Sequence, residues 1–388
     1  MTRGSAKRVV LGATVGRSLS VMNGLPEHLV SEGWDVHLVT SPGTELDAYA
    51  DVEGVTPFAI SMARNPSLIR DVRSLAAWLL YLKRIKPDVL YVGTPKAALL
   101  ANVAGLICRV PRRIYVLRGL RLESTVGLQF HLLRLMEMAT AAASHIVLAV
   151  SPSLRAKAIE IGLSRSDKIV VLGAGSSNGV DVTRFSPENA HLSKDELGID
   201  EDIPVVGFVG RVTDDKGLRV LALARLVLQS RGVDHEFLIV GGPDGRADSY
   251  KILKAAGRPA HEIGHVPDTS PYYSLMDLMV LPTRREGFPN TVLEASASGV
   301  PVITTDATGA VDSVIDGQTG VIVPRDDADA LADAIEGLLA DASLRARLGR
   351  HGRAHVERSF RQEDVWRRLD LFFAPGREGH NDWNSNDG

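Results

Sequence analysis

The chain has 388 residues, 45% hydrophobic and 23% charged, close to the globular average, which excludes disorder or fibrous repeats as the main architecture. Its formal net charge of −3 gives no overall case for nucleic-acid binding, and a lone cysteine, Cys108, excludes a disulfide scaffold or a multi-cysteine metal site. At roughly 100–200 residues per domain, the length predicts two domains.

The chain opens with Arg3, Lys7 and Arg8 ahead of Val9-Val10-Leu11, loosely like a signal peptide. The apolar stretch is short and lacks a clear cleavage site, so it reads as a first buried strand. Strand-like bursts then follow at Asp35 to Thr40, Val89 to Val92, Arg113 to Leu117 and His145 to Val150, with helical patterns at Leu68 to Lys86 and Leu128 to Ala143. No apolar run reaches the roughly 18–20 residues that cross a bilayer. The longest, Ala97 to Cys108, is interrupted by Asn102, and Cys108 within it reads as a small core residue. The expectation is a soluble, cytoplasmic protein.

The second half repeats the alternation. Strands are predicted at Pro204 to Gly210, Phe237 to Gly241, Leu278 to Pro282 and Val300 to Thr304, and helices at Leu218 to Arg231, Asp326 to Leu339 and Ala342 to Phe360. The fold class is α/β, two doubly wound Rossmann-like domains facing a central cleft. The domains are predicted over 1–185 and 203–358, joined by a linker over 186–202. A helix over 359–374 returns to the first domain, and a polar tail over 375–388 is disordered. Residues 1–185 carry 22 Lys/Arg against 14 Asp/Glu, a net of +8, and the remainder carries −11. That asymmetry reads either as two domains with different partners or as drift in surface composition.

His261-Glu262-Ile263-Gly264-His265 matches a zinc-hydrolase pattern in letters only. Such histidines share a face only on a helix, whereas Pro259, Gly264 and Pro267 make this segment strand and turn. In a strand the two rings stand roughly 13 Å apart, too far for one zinc. No metal site is expected.

Two loops carry chemistry. After the strand ending at Gly210 come Arg211 and Lys216, whose fork and point charge suit the oxygens of a departing diphosphate. The competing reading is a solvated loop with its charges paired to Asp214 and Asp215. After the strand Leu278 to Pro282 come Glu286, Gly287, Phe288 and Pro289, then a helix capped by Asn290 or Thr291 and carrying Glu294. First-turn amides there form a phosphate site, Glu294 suits the hydroxyls of a ribose, and Glu286 those of a second sugar. Alternatively Glu294 is only a partner for the helix dipole. Neither G-x-x-x-x-G-K-[ST] nor an N-terminal G-x-G-x-x-G occurs, which weakens nucleoside-triphosphatase and dehydrogenase readings.

Taken together, Gly210-Arg211 with Lys216-Gly217, Glu286-Gly-Phe-Pro-Asn-Thr-Val-Leu-Glu294, Gly299-Val-Pro-Val-Ile303 and Gly317-Gln-Thr-Gly-Val-Ile-Val-Pro324 resemble the retaining, GT-B fold glycosyltransferase family 4. Ser18-Leu19, Ser41-Pro42-Gly43, Thr94-Pro95-Lys96, Arg118-Gly-Leu-Arg121 with Glu123, and Gly175-Ser-Ser-Asn-Gly-Val-Asp181 are similar to members that build capsular, O-antigen or lipid-linked glycans. The resemblance spans about residues 8–370. It implies a hexosyl- or N-acetylhexosaminyltransferase with Arg211, Lys216 and Glu286 as catalytic residues. The donor, a UDP-sugar, would lie on Gly16, Gly210, Arg211, Lys216, Glu286, Gly287, Phe288, Pro289, Asn290, Thr291 and Glu294. Ser18, Lys96, Arg118, Arg121 and Glu123 would take the acceptor, a glycan or polyprenyl-diphosphate-linked glycan. No cofactor or metal is implied, no nucleic acid is a partner, and the basic first half suggests peripheral contact with an anionic membrane. The chain departs from the family where Arg17 follows Gly16, in place of a second glycine, and at Arg118, where relatives often carry histidine. Two alternatives stay open: a sugar-nucleotide epimerase of similar shape and a non-catalytic sugar-nucleotide-binding subunit.

Overall fold

The computed structural model describes residues 7–63, 67–189, 191–243, 250, 251, 253, 256 and 260–374. The tail expected over 375–388 lies outside them. The chain divides into two compact units: one ends at Asn178 and resumes at Asp364, and the other is Gly179–Glu363.

The first unit is built on seven parallel strands: β1 (Arg8–Gly12), β2 (Asp35–Thr40), β3 (Val55–Ala59), β4 (Val89–Gly93), β5 (Arg112–Leu117), β6 (Ile146–Ala149) and β7 (Ile169–Val170). Their order in the sheet is β3-β2-β1-β4-β5-β6-β7. Val10 of the central β1 pairs with His37 on one side and Leu90 on the other. Val9, Val10 and Leu11 are fully buried, as expected where both faces of a parallel sheet are covered and a strand reads as one apolar run. The edge strand β3 was not anticipated, because Thr56 and Pro57 interrupt its apolar pattern. Proline is tolerated at a sheet edge, where no outer neighbour needs its missing N–H.

Five main helices connect these strands: α1 (Leu25–Ser31), α2 (Leu68–Ile85), α3 (Pro95–Ile107), α4 (Gly127–Ala143) and α5 (Pro152–Glu160). In α2 the buried residues Trp78, Tyr81, Leu82 and Ile85 recur at helical spacing, and the helix stops at Lys86, which adopts a φ of 47°. The apolar run that includes Asn102 is α3, and Asn102 is buried there with its Nδ2 donating to Ala98 O at 2.9 Å. Cys108 is half-buried at the C-terminal end of α3 rather than in the core, because the helix ends there. No helix among the described residues is long and apolar enough to cross a membrane.

The second unit carries β8 (Val205–Val209), β9 (Glu236–Val240), β10 (His261–Gly264), β11 (Leu278–Leu281), β12 (Val302–Thr305) and β13 (Gly320–Val323), in the order β10-β9-β8-β11-β12-β13. Its pairings are parallel. Its longer helices are α6 (Leu218–Ser230), α7 (Asn290–Ala297), α8 (Ala328–Ala340) and α9 (Ala342–Ser359). The histidine segment is the strand β10, and His261 Nε2 meets Glu236 Oε2 at 3.0 Å. Residues 186–202 belong to this unit and carry two short 3₁₀ turns, Pro187–Asn189 and Asp195–Leu197.

The last helix, α10 (Gln362–Phe373), belongs from Asp364 onward to the first unit. Trp366 Nε1 donates to Asn178 Oδ1 at 2.8 Å, and Trp34 Nε1 donates to Asp370 Oδ1 at 2.6 Å. Phe372 and Phe373 are buried, with Phe373 edge-on to Trp34 and Tyr91.

One buried carboxyl gives the first unit a pH dependence. Glu137 of α4 is buried and accepts a hydrogen bond from the Tyr115 hydroxyl on β5. Burial pushes its pKa up to about 7, with the Tyr115 bond pulling the other way. A carboxyl that holds its proton more tightly folded than unfolded contributes stability at low pH. That contribution fades as pH rises from about 4.5 to about 7. Replacing Glu137 with Gln should remove this slope. Urea unfolding at pH 5 and pH 8 should show the variant gaining on the wild type by roughly 2–3 kcal/mol at the higher pH.

Candidate active site

In the second unit, β8 and β11 are neighbours, so the loops that leave their carboxyl ends meet. Gly210 ends β8 with a φ of 149°, and the loop runs through Arg211 to Gly217, where α6 begins. At Gly217 φ is 76°, and a Cβ there would lie 1.8 Å from the carbonyl oxygen of Pro282 at the end of β11. Only glycine lets the two loops approach so closely. They are then stitched together: Arg284 N donates to Asp215 O at 2.9 Å, and Thr283 Oγ1 donates to the same oxygen at 3.1 Å.

Across this seam Lys216 Nζ meets Glu286 Oε1 at 2.5 Å, and Arg285 Nη2 meets Asp215 Oδ2 at 2.9 Å. Both side chains of the first pair are mostly buried, at 15% and 11% exposed, so their attraction is screened less than that of a surface pair. Lys216 therefore pairs with Glu286, not with Asp214 or Asp215. Asp215 binds Arg285, a partner that sequence reading missed. Burial works to raise the Asp215 pKa, but the neighbouring Thr213 hydroxyl and the cations Arg285, Lys216 and Arg211 outweigh it and hold it below the ordinary range. Arg211 itself is exposed.

Glu286 N donates to Thr308 O at 2.8 Å, which fixes the start of the second loop. Phe288 is a core residue, packed against Phe360 with ring centroids 5.1 Å apart, and Pro289 is buried beside it. Their side chains anchor the loop, and Gly287 and Asn290 are half-buried around them. Helix α7 starts at Asn290, and its cap position is Pro289, whose side chain accepts nothing. The expected capping by Asn290 or Thr291 is therefore corrected: both lie inside the helix, because Pro289 takes the extended backbone of the cap. The cap residue thus supplies no side-chain acceptor to the first turn of α7.

Glu294 stands at the end of that first turn. Its Oε2 accepts from the Tyr273 hydroxyl at 2.8 Å and from Thr269 Oγ1 at 3.3 Å. Its Oε1 has no protein hydrogen bond among the described residues and is not sealed from solvent. Burial raises the Glu294 pKa above the ordinary carboxylate range, against the pull of Tyr273 and Thr269. Tyr273 is wholly buried. Nothing in the sequence marks Tyr273 or Thr269 as partners of Glu294, since they come from a separate segment just before β11.

In the first unit the remaining predicted residues also follow carboxyl strand ends. Gly16 is buried and Ser18 half-buried on a 3₁₀ turn after β1 (Gly16–Met22). Lys96 lies in the first turn of α3, after β4, and is buried in an ion pair with Asp71 at 2.8 Å. Arg118 follows β5, and Arg121, exposed, and Glu123, half-buried, lie on the next turn (Arg121–Ser124). The strands β1, β4 and β5 are consecutive in the sheet, so one edge gathers all six. The described residues contain no group of three or more His, Cys, Asp or Glu placed to hold a metal ion.

Known proteins carry the same pattern. The family described as "Glycosyl transferases group 1" matches residues 203–341, and "Glycosyl transferase 4-like domain" matches residues 20–175. The capsular polysaccharide biosynthesis glycosyltransferase CapM of Staphylococcus aureus is 38% identical over 93% of this chain and 95% of its own. The chain is a glycosyltransferase of this family. A UDP-Gal:alpha-D-GlcNAc-diphosphoundecaprenol alpha-1,3-galactosyltransferase from Escherichia coli is 26% identical over 82% of this chain and 83% of its own. Among solved structures, Anabaena Alr3699/HepE in complex with UDP-glucose matches with a TM-score of 0.75 at 18% identity, over 94% of this chain and 98% of that one. That likeness establishes the fold, and the two Rossmann-like sheets place this glycosyltransferase in the GT-B class.

The seam between the β8 and β11 loops makes one sharp prediction for this glycosyltransferase. Gly217→Ala places a methyl group against the Pro282 carbonyl at a positive φ and should cost about 2 kcal/mol or more. Denaturant unfolding would read it, and an unchanged midpoint would contradict the close approach.

Proposed function

We propose that this glycosyltransferase moves a sugar from a UDP-sugar to a glycan or polyprenyl-diphosphate-linked acceptor, with retention at the anomeric carbon, in the assembly of a surface polysaccharide. The observation that carries the reading is Glu294. Tyr273 and Thr269 hold one carboxylate oxygen and leave Oε1 open, beside a helix start whose cap residue, Pro289, supplies no side-chain acceptor. A carboxylate so held accepts ribose hydroxyls, while the first-turn amides face an anionic diphosphate. The names of the relatives support the same direction: one builds capsular polysaccharide, another uses UDP-Gal and a diphosphoundecaprenol acceptor, and HepE binds UDP-glucose.

In this reading Arg211 and Lys216 neutralise the charge that develops on the departing diphosphate. Lys216 is already held toward the site by Glu286, and Glu286 receives hydroxyls of the transferred sugar. The bond from the anomeric carbon to the diphosphate oxygen breaks, and a bond to the acceptor oxygen forms on the same face. The acceptor proton passes to the leaving phosphate oxygen, so no separate protein base is needed. Gly16 approaches the phosphates, and Ser18, Lys96, Arg118, Arg121 and Glu123 serve the acceptor.

Contact with an anionic membrane belongs to the same proposal. Leu68, Ile69, Val72 and Leu80 on α2 are exposed, as are Val126 and, at helical spacing on α4, Leu128, Leu132 and Leu135. Val126 and Leu128 are 88% and 85% exposed, far more apolar surface than an aqueous face usually carries in one stripe. Arg70, Arg73 and Arg121 accompany them and are also exposed, each able to add about 1 kcal/mol on an anionic surface.

Two measurements test the proposal. A thermal-shift panel of UDP, GDP, ADP and TDP should show stabilisation by UDP alone, about 2.7 kcal/mol at a hundred times its dissociation constant. Glu294→Ala should abolish that shift, and Arg211→Ala should lower turnover about 10²–10³-fold. Full turnover and donor affinity in both variants would overturn the site. Separately, the protein should sediment with phosphatidylglycerol vesicles and less so in high salt. Leu128→Asp with Leu132→Asp should abolish sedimentation and leave the UDP shift intact. A wild type that stays in the supernatant would refute membrane contact.

A further inference from the structure

Arg118 is a cation of the first unit for whose guanidinium the described residues supply no ion-pair partner. It stands directly after β5, and its Nε, Nη1 and Nη2 are all buried without a hydrogen-bond partner. Two other buried cations of the first unit have partners. Lys96 binds Asp71 at 2.8 Å, and Arg113 donates from Nε to Ala143 O at 2.7 Å and from Nη1 to Val110 O at 2.8 Å. Arg118 instead lies over the Tyr91 ring, 5.9 Å from its centroid. Burial depresses its pKa against the pull of the neighbouring Tyr91 hydroxyl, and a buried guanidinium with so little to bind is a costly arrangement.

The surroundings are built to admit it. Strand β4 ends in Gly93, and a Cβ there would lie 2.4 Å from Arg118 Nη1, so the missing side chain is the space that the guanidinium occupies. Thr94 follows with a φ of 67°, an unfavourable conformation for a β-branched residue. It is held by Thr14, whose N donates to Thr94 Oγ1 at 2.9 Å and whose hydroxyl meets the same oxygen at 2.7 Å. Helix α3 then begins at Pro95, and in its first turn the Thr14 hydroxyl accepts from Ala97 N at 3.2 Å. The buried guanidinium thus stands at the carboxyl ends of β4 and β5, beside the start of α3.

We propose that Arg118 receives an oxyanion carried by the substrate, the carboxylate of an acidic sugar or a phosphate, at the carboxyl ends of β4 and β5. The planar fork binds either group through two parallel bonds, whereas a neutral hydroxyl would leave the buried charge uncompensated. Arg118 is in this sense a specificity-determining residue that selects an acidic substrate. That the oxyanion belongs to a substrate rests on the transfer reading above. The binding site itself lies wholly within the first unit.

The test is a thermal-shift comparison of sodium D-glucuronate, inorganic phosphate and D-glucose at matched ionic strength, on the wild type, Arg118→Met and Arg118→Lys, with UDP as a control. At least one anion should raise the wild-type midpoint by ~2 °C or more, and glucose should not. Arg118→Met should lose the anion shift, keep the UDP shift, and be no less stable than the wild type without ligand, since a buried unpaired charge has gone. Arg118→Lys, which keeps the charge but not the fork, should show a reduced shift and serves alone if the Met variant does not fold. A shift with glucuronate only assigns the group to an acidic sugar, and one with phosphate only assigns it to a phosphate. No anion shift in the wild type, or an undiminished one in the variants, overturns the proposal. Absence of the UDP shift in the wild type would count against the transfer reading and leave the oxyanion site standing.

Discussion

A parallel strand can be followed by another in the same sheet only after the chain crosses over, and every crossover leaves from the same edge. This constraint places the chemistry of both units. In the second unit it brings the β8 and β11 loops side by side, so residues seventy positions apart, Lys216 and Glu286, form an ion pair. In the first unit it lines up the loops after β1, β4 and β5, where Gly16, Thr94 and Arg118 fall. The central strands serve this arrangement by being buried along most of their length, which leaves the loops at their carboxyl ends to carry the site.

Much of the fold was legible because buried parallel strands advertise themselves. Asp35–Thr40 and the strands around Val89, Val205 and Leu278 are short, mostly apolar runs rich in Val and Leu, flanked by Gly, Pro or charge. The elements that escaped reading lack that contrast. Strand β3 alternates and contains Pro57, β7 is two residues long, and β13 sits inside a motif read for its glycines. Helix α3 was visible only as an apolar run, since its surface is buried almost all round and carries no polar stripe to set its period.

The candidate site was legible in its charged members and opaque in their partners. Arg211, Lys216, Glu286 and Glu294 stand out by type and by the loops that hold them. What each one touches depends on three-dimensional neighbours. Tyr273 reaches Glu294 from another segment, Arg285 takes Asp215, and Lys96 is matched by Asp71 on α2. Phe288 looked like part of a ligand loop, yet it is core, and its contribution is to hold the backbone still. Spacing along a chain names candidates, but only packing decides which polar groups are already satisfied and which still await a partner.

The path of the chain has a consequence for how the molecule is made. Backbone bonds join Val180 to Phe360 and to Gln362, at 2.9 and 3.0 Å, so the second unit begins and ends at one place. It is an insertion within the first, whose final piece, from Asp364, supplies Trp366 to Asn178, Asp370 to Trp34, Phe372 to Arg112, and Phe373 to Trp34 and Tyr91. During synthesis the inserted unit is complete before that piece leaves the ribosome. The unit that starts the chain is therefore the last to close its core, and Trp34 and Tyr91 must wait for it through the translation of the whole second unit.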